Sequence, residues 1–257
     1  MNKSILTFFP FYQDFHFYKD PGQIPYRFYR EGYDTTIACF SSDEPLPVTE
    51  SFLKVKRINP LFGKKGRSAG LIWFFLLNSR RADILSLFHF TWLSLLAARV
   101  YKLFNRRGFV YIKMDNCSGS GRYPWEDILE NQQAGRPLAE RCKGWLIMKV
   151  FMRSVDLWSI EDEQSREIYE EKYPVFKGKL VTVYNGHCAD ILNAPQPMEF
   201  EEKDDIILNA GRLGSYQKAT EILLEAFITV EKKSHYQLHL AGEMDPDFLD
   251  RYNKFLS

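Results

Sequence analysis

Arg212 and Lys218 are the residues whose types and spacing most directly imply chemistry. An apolar run, Ile206 to Ala210, reads as a strand buried on both faces and leads into a turn containing Gly211 and Gly214. Ile222, Leu223, Ala226, Phe227 and Val230 then recur at helical spacing, and Gln237 to Ala241 alternates as a second strand. Two cations thus stand between the carboxyl end of a strand and the start of a helix. A cation there opposes the helix dipole, whereas an anion is attracted by it and by the free N–H groups of the first turn. A phosphate held by both side chains reconciles the two effects. The alternative is a pair of solvated charges around a helix start.

Further along the same logic, His89 follows a strand over Ile84 to Leu87 and Asp115 follows one over Phe109 to Met114. An α/β sheet places ligand contacts at such strand ends. Each also has a plain role, as a half-buried histidine and as a loop cap. The loop Asn116 to Gly121 can cradle an anion with its N–H groups or lie on the surface as an ordinary polar loop. Several constellations are absent. No G-x-G-x-x-G follows the first strand and no G-x-x-x-x-G-K-[ST] occurs anywhere, which excludes the usual dinucleotide and P-loop chemistries. Gly66 to Gly70 matches G-x-S-x-G, but a basic turn, Pro60 to Lys65, precedes it instead of the strand that a nucleophile elbow requires. His235 and His239 are four apart on and before a strand, where that spacing does not converge on a metal, and no metal is predicted. Cys39, Cys117, Cys142 and Cys188 form no ligand pattern and read as free thiols of a reducing cytoplasm.

The elements that must position these residues alternate. Strands are predicted at Ile5 to Phe9, Thr35 to Phe40, Ile84 to Leu87, Phe109 to Met114, Asp156 to Ser159 and Leu180 to Tyr184. Helices are predicted from Pro25 to Gly32, Ala69 to Arg80, Leu93 to Asn105, Leu138 to Met152 and Glu163 to Lys172. Pro10 to Pro21, Ser41 to Glu50 and Asp115 to Arg136 read as loops. This order implies an α/β protein with a parallel, doubly wound sheet. Pro195 and Pro197 mark a linker at 191–203 between a domain over 1–190 and a second one over 204–257.

With 45% hydrophobic residues the chain can bury a sizeable core, and a formal net charge of +1 gives no pull toward nucleic acid. Locally the balance differs. From Ser51 to Arg81 no acidic residue interrupts the basic ones, and Lys54, Lys56, Arg57, Lys64, Lys65 and Arg67 can meet an anionic membrane beside Leu61, Phe62 and the run Trp73 to Leu77. A solvated basic face over core residues is the other reading. The longest apolar run, Leu71 to Leu77, is far too short to span a bilayer.

The motif G-R-x-x-x-x-x-K at Gly211 to Lys218, preceded by the turn Val183-Tyr184-Asn185-Gly186 and a proline-containing linker, resembles the retaining GT-B glycosyltransferases of family four, glycosyl transferases group 1. Lys19-Asp20-x-Gly22-x-Ile24-Pro25-Tyr26 with Gly32-Tyr33-Asp34 is similar to the N-terminal loop and helix of bacterial members, and Ser159-Ile160-Glu161 matches a strand-end serine and its following glutamate. The resemblance implies two Rossmann-like domains. The N-terminal one is on the acceptor side, and the C-terminal one binds a nucleotide-sugar donor. It places Gly211, Arg212, Lys218, Asn185 and Gly186 on the donor, with Arg212 and Lys218 acting on the diphosphate. Lys19, Asp20, Gly22, His89, Asp115, Ser159 and Glu161 become acceptor-side candidates.

The implied reaction moves a sugar to a glycan or lipid-linked acceptor in bacterial polysaccharide biosynthesis, in the cytoplasm or at the inner membrane face. The donor is a substrate, and no cofactor is expected. The family's glycine-rich loop and its two glutamates seven residues apart have no counterpart here, since Glu243-Met244-Asp245 is not that pair. The chain is therefore expected to be a C-terminally truncated transferase of impaired activity. A non-catalytic glycan- or partner-binding module, and a sugar-phosphate-binding enzyme of the epimerase or phosphorylase type, are the other readings.

Overall fold

The computed structural model describes residues 3–61, 66–114, 142, 145–186, 198–215, 218–230 and 235–256. The chain divides into two compact units, Met1–Ala194 and Pro195–Ser257.

Among the described residues, unit 1 is built on seven parallel strands: β1 (Ser4–Phe8), β2 (Asp34–Phe40), β3 (Lys54–Ile58), β4 (Ile84–Phe88), β5 (Phe109–Lys113), β6 (Leu157–Ile160) and β7 (Leu180–Thr182). Their spatial order is β3-β2-β1-β4-β5-β6-β7. The chain winds outward from β1 to β3, returns to place β4 beside β1, and then winds the other way. The order therefore reverses between β1 and β4, where an open α/β sheet leaves a crevice beyond its carboxyl ends.

The period of two sends alternate side chains of each strand to opposite faces. Leu6, Phe8, Leu85, Leu87, Val110, Ile112, Trp158 and Ile160 meet Leu71 and Phe75 of α3 (Arg67–Asn78), Leu95, Ala98 and Tyr101 of α4 (Trp92–Phe104), and Tyr169 of α5 (Glu163–Lys172). On the other face Ile37, Cys39 and Phe88 pack under Tyr26 of α1 (Asp20–Arg30) and Phe17 of a 3-10 turn at Asp14–Tyr18. A single turn, α2 (Pro47–Glu50), completes that side and is tied to the 3-10 turn by the Asp14 carboxylate, which accepts the Val48 and Thr49 N–H groups.

Several elements differ from the sequence expectation, among them the 3-10 turn and α2, which fall in segments read as loops. The first helix begins at Asp20 and not at Pro25, because Pro21 takes its first turn, where a missing N–H costs nothing. Pro25 lies inside it. Strand β3 was unanticipated: its alternation of Lys54, Lys56 and Ile58 with Val55 and Arg57 is that of a basic edge strand, whose charges discourage pairing with a further chain. A last helix, α7 (Pro246–Leu256), follows the final strand.

Unit 2 pairs β8 (Ile206–Ala210) with β9 (Gln237–Ala241) in parallel, joined by α6 (Thr220–Val230). Leu213, Leu224 and Phe248 form its core. Strand β8 is not buried on both faces as its apolar sequence implied: Leu208 is 63% exposed. Among the described residues of unit 2, the two strands lack the neighbours that cover a sheet from both sides. No described helix is long and apolar enough to cross a membrane.

Candidate functional site

On the α1 face of the sheet the character changes along the strand order. Beneath α1 it is apolar, but β5 and β6 present Tyr111, Lys113, Ser159 and Glu161 there, near their carboxyl ends. Lys113 is the centre of this polar region. Its residue is 2% exposed, and its ammonium lies 2.7 Å from Asp20 Oδ2 at the start of α1 and 2.7 Å from Glu161 Oε1 just past β6. It donates a third hydrogen bond to Asn185 Oδ1, 3.0 Å away beyond β7. Burial pulls the ammonium's pKa down, and the two carboxylates reverse this and hold it above its ordinary value. Lys113 is thus a fixed cation joining the start of α1 to the ends of two strands. The neighbouring Tyr111 hydroxyl is 2.5 Å from the Ser159 hydroxyl. Burial raises the phenol's pKa, which keeps it a neutral partner.

Two histidines stand near this cluster at the β1 and β4 ends. His89 follows β4 with φ 60°, a left-handed conformation uncommon outside glycine, and its N–H donates to the Lys113 carbonyl at 2.8 Å. Its ring lies 5.6 Å from that of Phe9, and the His16 ring lies 5.0 Å from the same phenylalanine. The Gln13 N–H donates to His16 Nδ1, so the proton of the neutral ring sits on Nε2. Burial, with the charges of Lys19 and His89, holds the His16 pKa below its ordinary value.

The sequence-predicted acceptor-side residues therefore separate. Asp20 and Glu161 converge on Lys113, together with Asn185, which the resemblance had placed on the donor. Ser159 is fully buried and engages Tyr111 rather than open space. Gly22 is a packing position: a Cβ there would lie 2.3 Å from the Phe17 Cα, so glycine is what allows α1 to rest on the 3-10 turn that carries His16. Lys19 is exposed, its ammonium 4.7 Å from the Phe15 ring centre. Gly186 is exposed with open space around it. Asp115 and the loop Asn116 to Gly121 lie outside the described residues. Lys113 itself, and His16, were missed. The signal for Lys113 was present: a lysine as the last residue of an otherwise apolar strand.

The basic stretch is divided by the fold. Lys54 pairs with Asp34 at 2.6 Å and Lys56 donates to Asn78 at 3.0 Å, both near the amino end of the sheet. Arg57 reaches Glu50 and the Glu44 carbonyl, and Arg67 stacks 4.7 Å over Phe11. Lys64 and Lys65 lie outside the described residues. Ser68, the serine of G-x-S-x-G, sits in the first turn of α3.

In unit 2 the turns after both strands meet. Gly211 has φ 153° and Gly242 φ 138°, and a Cβ on Gly242 would lie 1.8 Å from the Gly211 carbonyl oxygen. Only glycine permits this approach at both positions. The Lys218 side chain folds back over Gly211, its Cε 2.9 Å from where a Cβ would stand. Arg212 is the next residue and is exposed, and its carbonyl accepts a 2.8 Å hydrogen bond from the Ser215 hydroxyl. The turn closes onto α6 through the Thr220 hydroxyl, which accepts the Gly214 N–H at 3.2 Å. Both predicted cations thus stand by a bare backbone turn at the carboxyl end of β8, a geometry suited to an anion. His235 pairs with Asp205 at 3.3 Å and His239 with Gln237 at 3.2 Å, so the two imidazoles serve different partners.

No protein-family model matches this chain, and no curated protein matches it by sequence. Solved structures do resemble it. One is a glycosyltransferase from Rickettsia africae, with a TM-score of 0.63 at 11% identity over 99% of this chain and 65% of that protein. Another is the UDP-GlcNAc 2-epimerase of Neisseria meningitidis bound to UDP-GlcNAc, with a TM-score of 0.54 at 12% identity over 98% of this chain and 69% of that one. The chain thus spans about two thirds of the length of each. The likeness is one of fold: a Rossmann-like α/β architecture of the GT-B kind.

Proposed function

We propose that this chain binds a nucleotide-sugar donor and serves transfer of the sugar, with retention of anomeric configuration, to a glycan or lipid-linked acceptor. The observation that carries the proposal is the turn after β8, where Arg212 and Lys218 flank the bare backbone of Gly211 at a strand end. As a glycosyl–oxygen bond breaks, negative charge grows on the β-phosphate of the departing nucleoside diphosphate. Cations already in place stabilise that charge more than they stabilise the ground state, which is the requirement for catalysis. Arg212 offers a planar fork for two phosphate oxygens and Lys218 a single point charge. In unit 1, Asp20 and Glu161 each direct one carboxylate oxygen to Lys113, and the second oxygen of each is suited to accept a sugar hydroxyl on the acceptor side.

Calorimetry with UDP is the direct test, the UDP-GlcNAc complex of the Neisseria epimerase making uridine the first nucleoside to try. Binding by the whole chain that is lost in Arg212→Ala is the expected outcome. In any variant that retains turnover, removal of this contact raises the barrier by about 2–4 kcal/mol. Absence of UDP affinity, with wild-type folding, overturns the proposal. A second reading, a non-catalytic partner-binding module, draws on the exposed apolar side chains of unit 2, Leu208 and Ile222 among them. It expects no nucleotide affinity at all.

A further inference from the structure

We propose that the amino end of the unit 1 sheet, where α3 and α4 finish, is a docking surface for an anionic lipid bilayer. The inference stands apart from sugar transfer, because it uses the end of the sheet opposite to the strand ends that hold Lys113.

Helix α3 is apolar on two sides. Gly70, Leu71 and Phe75 face the core, but Ile72, Trp73, Leu76 and Leu77 point outward and are 41–55% exposed. Leu103 and Phe104 at the end of α4 are exposed as well. The two helix ends are held together: Arg80 Nε donates to the Phe104 carbonyl at 3.3 Å, and the Asn105 side chain donates to the Ser79 carbonyl at 2.9 Å. Around them stand Arg80, Arg81, Arg106 and Arg107, all exposed.

The charge of this region is one-sided. The exposed Arg80, Arg81, Arg106 and Arg107 stand here beside acids of the strand starts that are already taken: Asp34 pairs with Lys54 and Asp156 with Lys102, each at 2.6 Å, and the acid nearest the arginines in sequence is Asp83. That acid is already engaged, accepting the N–H and the hydroxyl of Ser4 at 2.8 Å each. A cavity of about 280 Å³ opens at the same end of the sheet, lined by Lys54, Lys56, Asn78 and Arg81, with Asp34 as its acidic member. Its size and charge suit a phosphate headgroup.

An apolar stripe with a tryptophan, flanked by arginines, matches the boundary between headgroups and acyl chains. Leucines enter the apolar side, the indole spans the boundary, and arginine stems lie along it with their guanidinium groups on phosphates. A second copy of the chain fits less well, since a two-fold contact sets the arginine rim of one molecule against that of the other. A neutral partner leaves the arginines without counter-charges.

The test is flotation of the whole chain with vesicles of phosphatidylcholine alone and of phosphatidylcholine mixed with phosphatidylglycerol. Binding is expected only to the mixed vesicles, and it should fall as salt is raised. Reversing two charges together, Arg80→Glu with Arg106→Glu, should weaken it by more than about tenfold. The pair Trp73→Ala and Leu77→Ala should weaken it while leaving the circular dichroism melt unchanged, because both side chains are more than half exposed. Arg27→Glu on α1, away from this surface, should have no effect. Equal binding to neutral vesicles, no binding at all, or binding indifferent to the four substitutions overturns the proposal. So does a dimer in sedimentation velocity that Trp73→Ala dissolves without any vesicle association.

Discussion

Lys113 is held by groups that approach it from three places in the fold, and removing it separates two kinds of consequence. Lys113→Met leaves the Asp20 and Glu161 carboxylates facing each other around a buried methyl group. A loss of about 3 kcal/mol in chemical denaturation is expected, somewhat less than for a fully buried pair because both acids are partly exposed. If the acceptor binds through those acids, KM for acceptor should rise further than KM for donor, a split that a purely structural role would not produce. Asp83 offers a cleaner electrostatic measurement. The Ser4 N–H and hydroxyl hold its carboxyl below the usual range, so the unfolded chain binds a proton at a pH where the folded chain does not. Its stabilisation is therefore full above about pH 4 and is lost as pH falls through the depressed folded value. Because the carboxylate is exposed and screened by solvent, Asp83→Asn should cost no more than about 0.5 kcal/mol at neutral pH, and the difference from wild type should vanish in urea melts at strongly acidic pH.

At the scale of elements, the 3-10 turn Asp14–Tyr18 and α1 act as one piece. Asp14 ties the turn to α2, Gly22 lets α1 rest on it, and Asp20 at the start of α1 reaches Lys113. Gly22→Ala forces a Cβ to within 2.3 Å of backbone, which no side-chain rotation relieves. A loss of about 1–3 kcal/mol is expected, with altered chemical shifts at His16 and Lys113 and little change at Trp158 on the opposite face of the sheet. Preserved shifts at His16 would mean that the turn and the helix are not coupled. The same reasoning explains why Gly22 is informative in the sequence without touching a ligand.

The whole molecule should be uneven in stability. Unit 1 buries a continuous apolar cluster on one face of its sheet and a second one under α1, whereas the core of unit 2 is Leu213, Leu224 and Phe248 with a few partly buried neighbours. Amide exchange should therefore be fastest in β8 and β9 and slowest in β1 and β4. Phe248→Ala removes a fully buried ring at a cost of about 3–5 kcal/mol and should abolish protection across unit 2 while unit 1 keeps its own. Simultaneous loss in both units would show instead that they unfold as one.

Local pattern made much of this legible in advance. The alternation of strands and helices follows from periods that neighbouring residues set among themselves, and it identified a parallel α/β sheet. The Gly211 to Lys218 turn was readable because its parts are contiguous: Gly211, which the approach of Gly242 meets, Gly214, where a Cβ would strike Phe248, and cations at a strand-to-helix junction. What only the tertiary structure decided is which distant residues meet. Asp20, Lys113, Glu161 and Asn185 have no spacing that predicts their convergence, and a lysine inside a strand shows nothing of its partners until β5, β6 and the start of α1 are side by side. Burial was likewise undecided. The apolar sequence of β8 implied cover on both faces, but cover depends on neighbouring strands and helices, which a strand's own residues do not specify.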